Sequence, residues 1–87
     1  MALMFPNASR SYDATRRAVR FWGYDSAMEW SFFVTEDALK HIHPGMDQNE
    51  AGMLGAFDAH RDRICAAAAR LYGREQKGSY ELGAASF

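Results

Sequence analysis

The chain has 87 residues, a formal net charge of −1 and one cysteine, Cys65. A chain of this length forms one domain and buries roughly 60% of the surface that its unfolded form exposes. The lone cysteine excludes an internally disulfide-bonded scaffold, and the near-neutral charge argues against a general polyanion-binding protein.

The N-terminal third predicts an edge strand and a β-hairpin. Residues 2–5 are a short apolar run that Pro6 ends. Residues 18–24 alternate between apolar and polar side chains, and residues 28–34 are rich in aromatic side chains, which is typical of half-buried strands. In the second hairpin strand the large apolar side chains share one face, which we expect to lie against the helices: Met28, Trp30, Phe32 and Val34.

A short helix is predicted after the hairpin. Thr35 is a suitable N-cap, and the acidic Glu36 and Asp37 that follow it favour the positive end of a helix dipole. We expect Ala38, Leu39 and Ile42 to point inward and Pro44-Gly45 to end the helix.

Residues 47–73 predict one long helix. Asp47 and Glu50 have the spacing of a capping box, and Gly73 can adopt the left-handed conformation that ends a helix. At about 100° per residue, the core side collects apolar residues around a central arginine: Glu50, Met53, Leu54, Phe57, Arg61, Ile64, Ala68, Leu71 and Tyr72. The reverse side is lined by small residues and arginines: Gly52, Gly55, Ala56, Ala59, Arg63, Ala66 and Arg70.

Residues 79–82 predict a last strand. Strands grouped before helices favour an α+β domain over a parallel doubly wound sheet. The predicted fold is a single domain, residues 1–87, with a small antiparallel sheet made of the N-terminal hairpin strands and a C-terminal strand. A short helix and one long helix cover one face of this sheet.

Three segments carry a family resemblance: VRFWGYDSAMEWSFFVTEDAL at residues 19–39, AFDAHRDRICAAAARLY at residues 56–72, and GSYELGAASF at residues 78–87. On these segments, and on LMFP near the start, the chain resembles the small bacterial family catalogued as domain of unknown function 1488. The resemblance implies an intracellular bacterial α+β domain and brings no assigned activity. Members of that family commonly have an acidic residue before the final Phe, where this chain has Ser86.

The opening MALMFPNASR has neither a basic start nor a sustained apolar run, so it predicts neither a secretory signal nor a membrane span. Together with the single cysteine, this favours a reduced, cytoplasmic location without membrane contact.

Two surfaces are candidates for binding a protein partner or a second copy of the chain. On the reverse side of the long helix, an exposed glycine costs about 1 kcal/mol relative to alanine. Either the protein tolerates this cost, or the glycines allow the backbone of a second chain to come close to the helix. The candidate residues are Gly52, Gly55, Ala59 and Arg63 on the helix and Arg20, Trp22 and Tyr24 on the outer face of the sheet.

The alternative function is single-stranded nucleic-acid binding through the same sheet face. Arg16, Arg17 and Arg20 would pair with phosphates, and Trp22 and Tyr24 would stack on bases. The competing interpretation is a solvated sheet face with contacts between arginines and aromatic rings.

We expect no metal site and no cofactor. His41 and His43 are two residues apart on a helix and therefore point in nearly opposite directions. They could share an ion only if the last turn unwound, with Asp47 or His60 as a further ligand. The competing interpretation is that both histidines lie at the C-terminus of the short helix and interact favourably with the negative end of its dipole.

No catalytic constellation is predicted, and we do not expect an enzyme. Asp58, His60 and Asp62 are spaced so that a helix scatters them around its axis, and Cys65 fits a small packed residue.

Arg61, in the middle of the apolar stripe, needs a partner, because a buried guanidinium without one is costly. We expect a structural buried charge pair with Glu29, or with Glu50, and regard binding of an external anion as the alternative.

Overall fold

The structure is a computed structural model that describes residues 3–6, 9–74 and 79–87. The described strands are β1 (Arg10–Asp13), β2 (Ala18–Asp25), β3 (Met28–Thr35) and β4 (Ser79–Leu82). The described helices are α1 (Glu36–Ile42), α2 (Glu50–Ala59) and α3 (Arg61–Arg74), and a 3₁₀ turn covers Ala84–Ser86. The predicted α+β class is confirmed.

Within the described residues the strands form one four-stranded sheet in the order β1-β2-β3-β4. The first three strands are antiparallel neighbours, and the predicted hairpin is confirmed as β2 and β3. β4 pairs with β3 in parallel, so the expectation of an entirely antiparallel sheet is wrong. The three helices connect β3 to β4 and return the chain to the same end of the sheet, as a crossover between parallel strands requires.

The predicted edge strand at residues 2–5 is reduced to one bridge. Met4 and Tyr24 exchange two backbone hydrogen bonds, each 2.8 Å long, and residue 2 lies outside the described residues. The ring of the neighbouring Phe5 packs 5.9 Å from those of Phe21 and Phe32. Gly23 leaves room for this ring, since a Cβ there would lie 2.9 Å from a Phe5 ring carbon.

All three helices cover the same face of the sheet, and the core lies between them and the strands. The buried apolar side chains from the sheet are Val19, Phe21, Phe32, Val34, Tyr80 and Leu82. Those from the helices are Ala38, Leu39, Ile42, Met53, Ala56, Phe57, Ile64, Ala67 and Ala68. The predicted facing of Phe32 and Val34 is confirmed, but Met28 is exposed at the hairpin end. None of the described helices combines the length and apolar content that crossing a bilayer requires.

The short helix α1 follows its local signals. The Thr35 side chain accepts a hydrogen bond of 3.1 Å from the backbone N–H of Ala38, which confirms the predicted N-cap. His43 is the C-cap, and the chain turns at Pro44 and Gly45, where Gly45 has the left-handed φ of 90° that favours glycine.

The prediction of a single long helix over residues 47–73 is wrong, because the structure has two helices there. His60 leaves the helical conformation, with φ −119° and ψ 24°, and separates α2 from α3. Neither glycine nor proline marks this position, and the buried stripe keeps its phase across it from Phe57 to Ile64. Hydrophobic periodicity therefore gives no sign of the break.

The start of α2 also differs from the prediction. Asn49, rather than Asp47, is the N-cap, and its side chain accepts a hydrogen bond of 2.7 Å from the Gly52 N–H. Glu50 is exposed rather than on the core side, and Ala56 is buried rather than on the reverse side.

Candidate binding surfaces

The face of the sheet opposite the helices is the first candidate surface. We call it the open face and define it from the strand register, since residues paired across neighbouring strands point to the same side. Its described residues are Met4, Ser11, Asp13, Ala18, Arg20, Trp22, Tyr24, Glu29, Ser31, Phe33, Thr35, Ser79 and Glu81. The predicted grouping of Arg20, Trp22 and Tyr24 on one face agrees with this register.

Arginines lie on aromatic rings at one end of the open face. The Arg16 guanidinium is 4.0 Å from the centre of the Phe33 ring. That of Arg20 is 5.7 Å from the Phe33 ring and 5.2 Å from the Trp22 ring. Phe33 is only 6% exposed although it points away from the core, so the arginines and neighbouring side chains shield it from water.

Arg20 is held in place by the sheet. Its Nη2 donates a 2.9 Å hydrogen bond to Ser31 Oγ, on the adjacent strand. Its Nε is buried and makes no hydrogen bond within the described part of the chain. The guanidinium is thus a fixed cation toward the α1 end of the open face.

The other end of the open face is acidic and apolar. Tyr24 donates a 2.6 Å hydrogen bond from its hydroxyl to Glu29 Oε2, and Met4, beside Tyr24, is 60% exposed. Along the two central strands, the charge therefore changes from positive at Arg20 to negative at Glu29, with Trp22 between them.

Arg17 does not contribute to this surface as the nucleic-acid alternative requires. It has a left-handed φ of 49°, and its Nε and Nη2 donate to the two carboxylate oxygens of Glu36, both at 2.9 Å. This bidentate contact lowers the pKa of Glu36. Arg17 therefore joins the β1–β2 turn to α1.

The small-residue side of the helices is the second candidate surface, and its first glycine has a reason within the chain. A Cβ at Gly52 would collide with the Asp47 carbonyl oxygen, so α2 begins in close contact with the backbone that precedes it. From the sequence, close approach of a second chain is one explanation of this glycine. In the structure, the segment that lies close to Gly52 is the backbone of Asp47 in the same chain. Gly55 is exposed, and a Cβ there would meet no atom within 4 Å.

An open depression of about 430 Å³ lies where α2 meets α3. It brings together two predicted partner-binding residues, Ala59 and Arg63, with charged neighbours on both sides of the break. Its lining is Asp58, Ala59, His60, Arg61, Asp62 and Arg63. Arg10 on β1 forms a bidentate contact with the Asp58 carboxylate, at 2.9 and 2.7 Å, which joins α2 to the edge of the sheet.

The predicted buried pair of Arg61 and Glu29 is wrong. Glu29 is exposed on the open face and accepts from Tyr24, whereas Arg61 lies on the helix side of the sheet. Arg61 is partly exposed and its Nη2 is 3.4 Å from the Phe5 carbonyl oxygen. A strand places successive side chains on opposite faces, so Glu29 points away from every helix.

Two histidines from different helices meet beside the depression. His43 Nδ1 and His60 Nε2 are 3.0 Å apart, and both rings are half-buried. His41, on α1, is exposed, whereas His43, the C-cap of α1, is half-buried and is the histidine that contacts His60. Cys65 is half-buried against the core, and burial raises the pKa of its thiol, as expected of a packed residue.

Sequence reasoning missed the contacts that depend on tertiary structure. Arg10 and Asp58 are 48 positions apart, and nothing in their local sequence indicates that they pair. The alternation of side chains along β3 places Phe33 on the face opposite Phe32 and Val34, but it does not indicate that arginines cover the Phe33 ring. The one available signal was the proximity of Arg16 and Arg20 to the second aromatic strand in a hairpin.

Comparisons with known proteins identify the family without giving a function. A family model described as "Protein of unknown function (DUF1488)" matches residues 3–82. The chain is similar to the crystal structure of a protein of unknown function from that family, from Shewanella loihica PV-4, with a TM-score of 0.82 and 18% sequence identity. That comparison covers 92% of this chain and 90% of the other. No curated protein matches the chain.

Proposed function

We propose that this chain, which belongs to the DUF1488 family of proteins of unknown function, works by non-covalent association, and that its open face binds a second copy of the chain. The support for the proposal is the order of side chains along the two central strands of that face. Arg20 lies toward the α1 end and Glu29 toward the hairpin end, with Trp22 between them.

This order is self-complementary. A twofold axis across the strands at the level of Trp22 would reverse the order of residues on the facing copy. It would bring Arg20 of each copy toward Glu29 of the other and place the two Trp22 rings at the centre. Twofold interfaces of this isologous kind are the commonest in homo-oligomers. Asp13 and Glu81 lie on the edge strands, away from the central pairs.

The size of the open face sets the expected strength of association. The two central strands have eight residues each and the two edge strands four each. At about 3.3 Å per residue and about 4.8 Å between strands, they cover about 380 Å². A standard stable interface buries about 800 Å² on each partner. We therefore expect a weak dimer whose population depends on concentration in the micromolar range.

Sedimentation velocity over a range of concentrations, from micromolar to about 1 mM, tests the proposal. We expect the wild type to dimerise and both Arg20→Glu and Glu29→Arg to be monomeric, because each places like charges opposite one another. An equimolar mixture of the two variants should dimerise again, since the reversed charges are then complementary.

Lys40→Glu is the control, because Lys40 is exposed on α1 and lies on the helix side of the sheet. It should dimerise as the wild type does. A wild type that is monomeric at the highest concentration, or variants that do not recover on mixing, would reject the second copy as the partner.

Single-stranded nucleic acid remains the alternative occupant of the open face. It is supported by the Arg20 guanidinium lying 5.2 Å from the Trp22 ring, which combines a cation with a stacking surface. Fluorescence anisotropy with a labelled oligonucleotide at low salt separates the two proposals. Binding that falls with salt and is lost in Arg16→Ala would favour nucleic acid. An unchanged anisotropy would reject it.

We also propose that the protein is bacterial and cytoplasmic and has no enzymatic activity. The half-buried single Cys65 fits a reducing compartment, and the family resemblance supports a bacterial source. The absence of catalysis stays a prediction. A substrate analogue that binds in the depression beside His60 would contradict this prediction.

A further inference from the structure

The pair of His43 and His60 has no part in the proposed association. His43 is the C-cap of α1 and His60 the C-cap of α2, so the pair joins the ends of two helices. Their facing nitrogens, Nδ1 and Nε2, are 3.0 Å apart, and the ring planes are inclined at 72°. Both rings are half-buried, which restricts their orientation without closing them off from solvent.

We propose that His43 and His60 together bind one divalent transition-metal ion, such as Zn²⁺ or Ni²⁺, between α1 and α2. Neutral imidazole nitrogen is a preferred ligand of these ions. A tetrahedral zinc ion with zinc–nitrogen distances of about 2.0 to 2.1 Å holds two ligand nitrogens about 3.3 Å apart. The observed 3.0 Å is a hydrogen-bond distance between the two nitrogens. An ion would replace this hydrogen bond: the nitrogens would separate by about 0.3 Å, and both rings would turn so that each nitrogen lone pair points at the ion.

Water would complete the coordination. No group of three or more His, Cys, Asp or Glu side chains is placed to hold a metal in residues 3–6, 9–74 and 79–87. The pair thus contributes two ligands, and the open depression that His60 lines has room for water molecules. We expect weaker binding than in structural zinc sites with four protein ligands.

The charged side chains around the pair do not favour a cation. Asp58 and Asp62 line the depression together with Arg61 and Arg63. Arg10 contacts Asp58, so three arginines face two aspartates and the formal charges sum to +1. Asp58 is held by Arg10, and the Arg61 guanidinium is directed toward the Phe5 carbonyl. The binding energy would therefore come from the two imidazoles rather than from a general acidic field.

Binding at this position would stabilise the fold. The ligands lie at the ends of two helices that are joined by the segment from His43 to Asn49. The unfolded chain holds them 17 positions apart with no fixed geometry. An ion that binds the folded pair preferentially raises the free energy of unfolding as its concentration increases.

The test uses untagged protein, freed of metal with a chelator that is then removed, and titrated with ZnCl₂ by calorimetry and by thermal unfolding. We expect saturable binding of one ion per chain and a rise in Tm. His43→Asn and His60→Gln should each abolish both effects. These amides lie near the positions of Nδ1 and Nε2, so each variant retains a polar group at the contact.

His41→Gln is the matched control. It removes an exposed histidine two positions from His43 and should bind zinc as the wild type does. Nitrogen-15 spectra of the wild type provide a readout that does not depend on folding of a variant. The imidazole signals of His43 and His60 should shift on adding Zn²⁺, whereas those of His41 should not.

The proposal is overturned by any of three results: no saturable binding by the wild type, binding retained in both pair variants, or shifts confined to His41. Each is independent of whether the open face forms a dimer, because the pair lies on the helix side of the sheet.

Discussion

Gly52 and Gly55 lie one turn apart on α2, and their surroundings are opposite. Gly52 is pressed against the Asp47 carbonyl, where a side chain would collide with the backbone. Gly55 is exposed in the middle of the helix with open space around its Cα. The same residue type therefore serves close packing at the first position and only weakens the helix at the second.

We expect Gly52→Ala to lower the free energy of unfolding by about 1–3 kcal/mol, the usual cost of overpacking. Gly55→Ala should raise it by about 0.5–1 kcal/mol, because alanine loses less conformational entropy on forming a helix. Urea denaturation of the two variants measures both effects. If both substitutions stabilise the protein, the contact between Gly52 and Asp47 is not tight.

The ends of the helices are determined by individual side chains. Thr35 caps α1, and Asn49 caps α2 by accepting from the Gly52 N–H. Asp47 was the predicted cap, but its carbonyl lies against Gly52, two positions before the cap that the structure uses. Asn is among the strongest N-cap residues, which agrees with its use here.

Asn49→Ala should lower the free energy of unfolding by about 1 kcal/mol, as loss of an N-cap side chain usually does. Asp47→Ala should change it by less than about 0.5 kcal/mol, as an exposed substitution does. Chemical denaturation monitored by circular dichroism distinguishes the two positions. A larger loss of stability for Asp47→Ala than for Asn49→Ala would indicate that Asp47 is the N-cap, as the sequence predicts.

Elements with local signals were predictable, and those defined by distant contacts were not. The hairpin and α1 follow from alternating residues and the Thr35 cap, and the grouping of Arg20, Trp22 and Tyr24 follows from the period of a strand. The break at His60 has no local marker, since the apolar stripe continues through it. The contact with His43 and the parallel direction of β4 both depend on how helices return the chain to the sheet.

At the scale of the whole molecule, polar contacts join the helical layer to the sheet at its margins. Arg10 on β1 binds Asp58 on α2, and Tyr72 on α3 donates a 2.5 Å hydrogen bond to Asp25 at the end of β2. The bond to Asp25 raises the pKa of Tyr72 to about 12, with burial adding to the shift. The neutral phenol is therefore favoured in the folded state.

Tyr72→Phe should lower the stability of the protein at neutral pH, because it leaves Asp25 without this donor. A phenol with a higher pKa in the folded state contributes stability that is complete below its unfolded value of 10.0 and is lost as pH rises through about 12. The difference between wild type and variant should therefore shrink across that window.

Urea midpoints measured at pH 8, 10 and 11.5 follow this change, with Tyr12→Phe as a control for removing a hydroxyl elsewhere in the sheet. A wild-type advantage that is unchanged at pH 11.5 would mean that the bond to Asp25 does not couple Tyr72 to folding.

The parallel pairing of β4 with β3 affects the order in which the chain can be assembled. All three helices are encoded between these two strands, so during synthesis the edge of β3 stays without its neighbour until the helices have emerged. Closing the long segment between β3 and β4 lowers the conformational entropy of the chain before the contacts between the two strands can form. We expect the hairpin to form early and an aromatic strand edge, with Trp30 and Phe32, to remain a temporary site for chaperone binding.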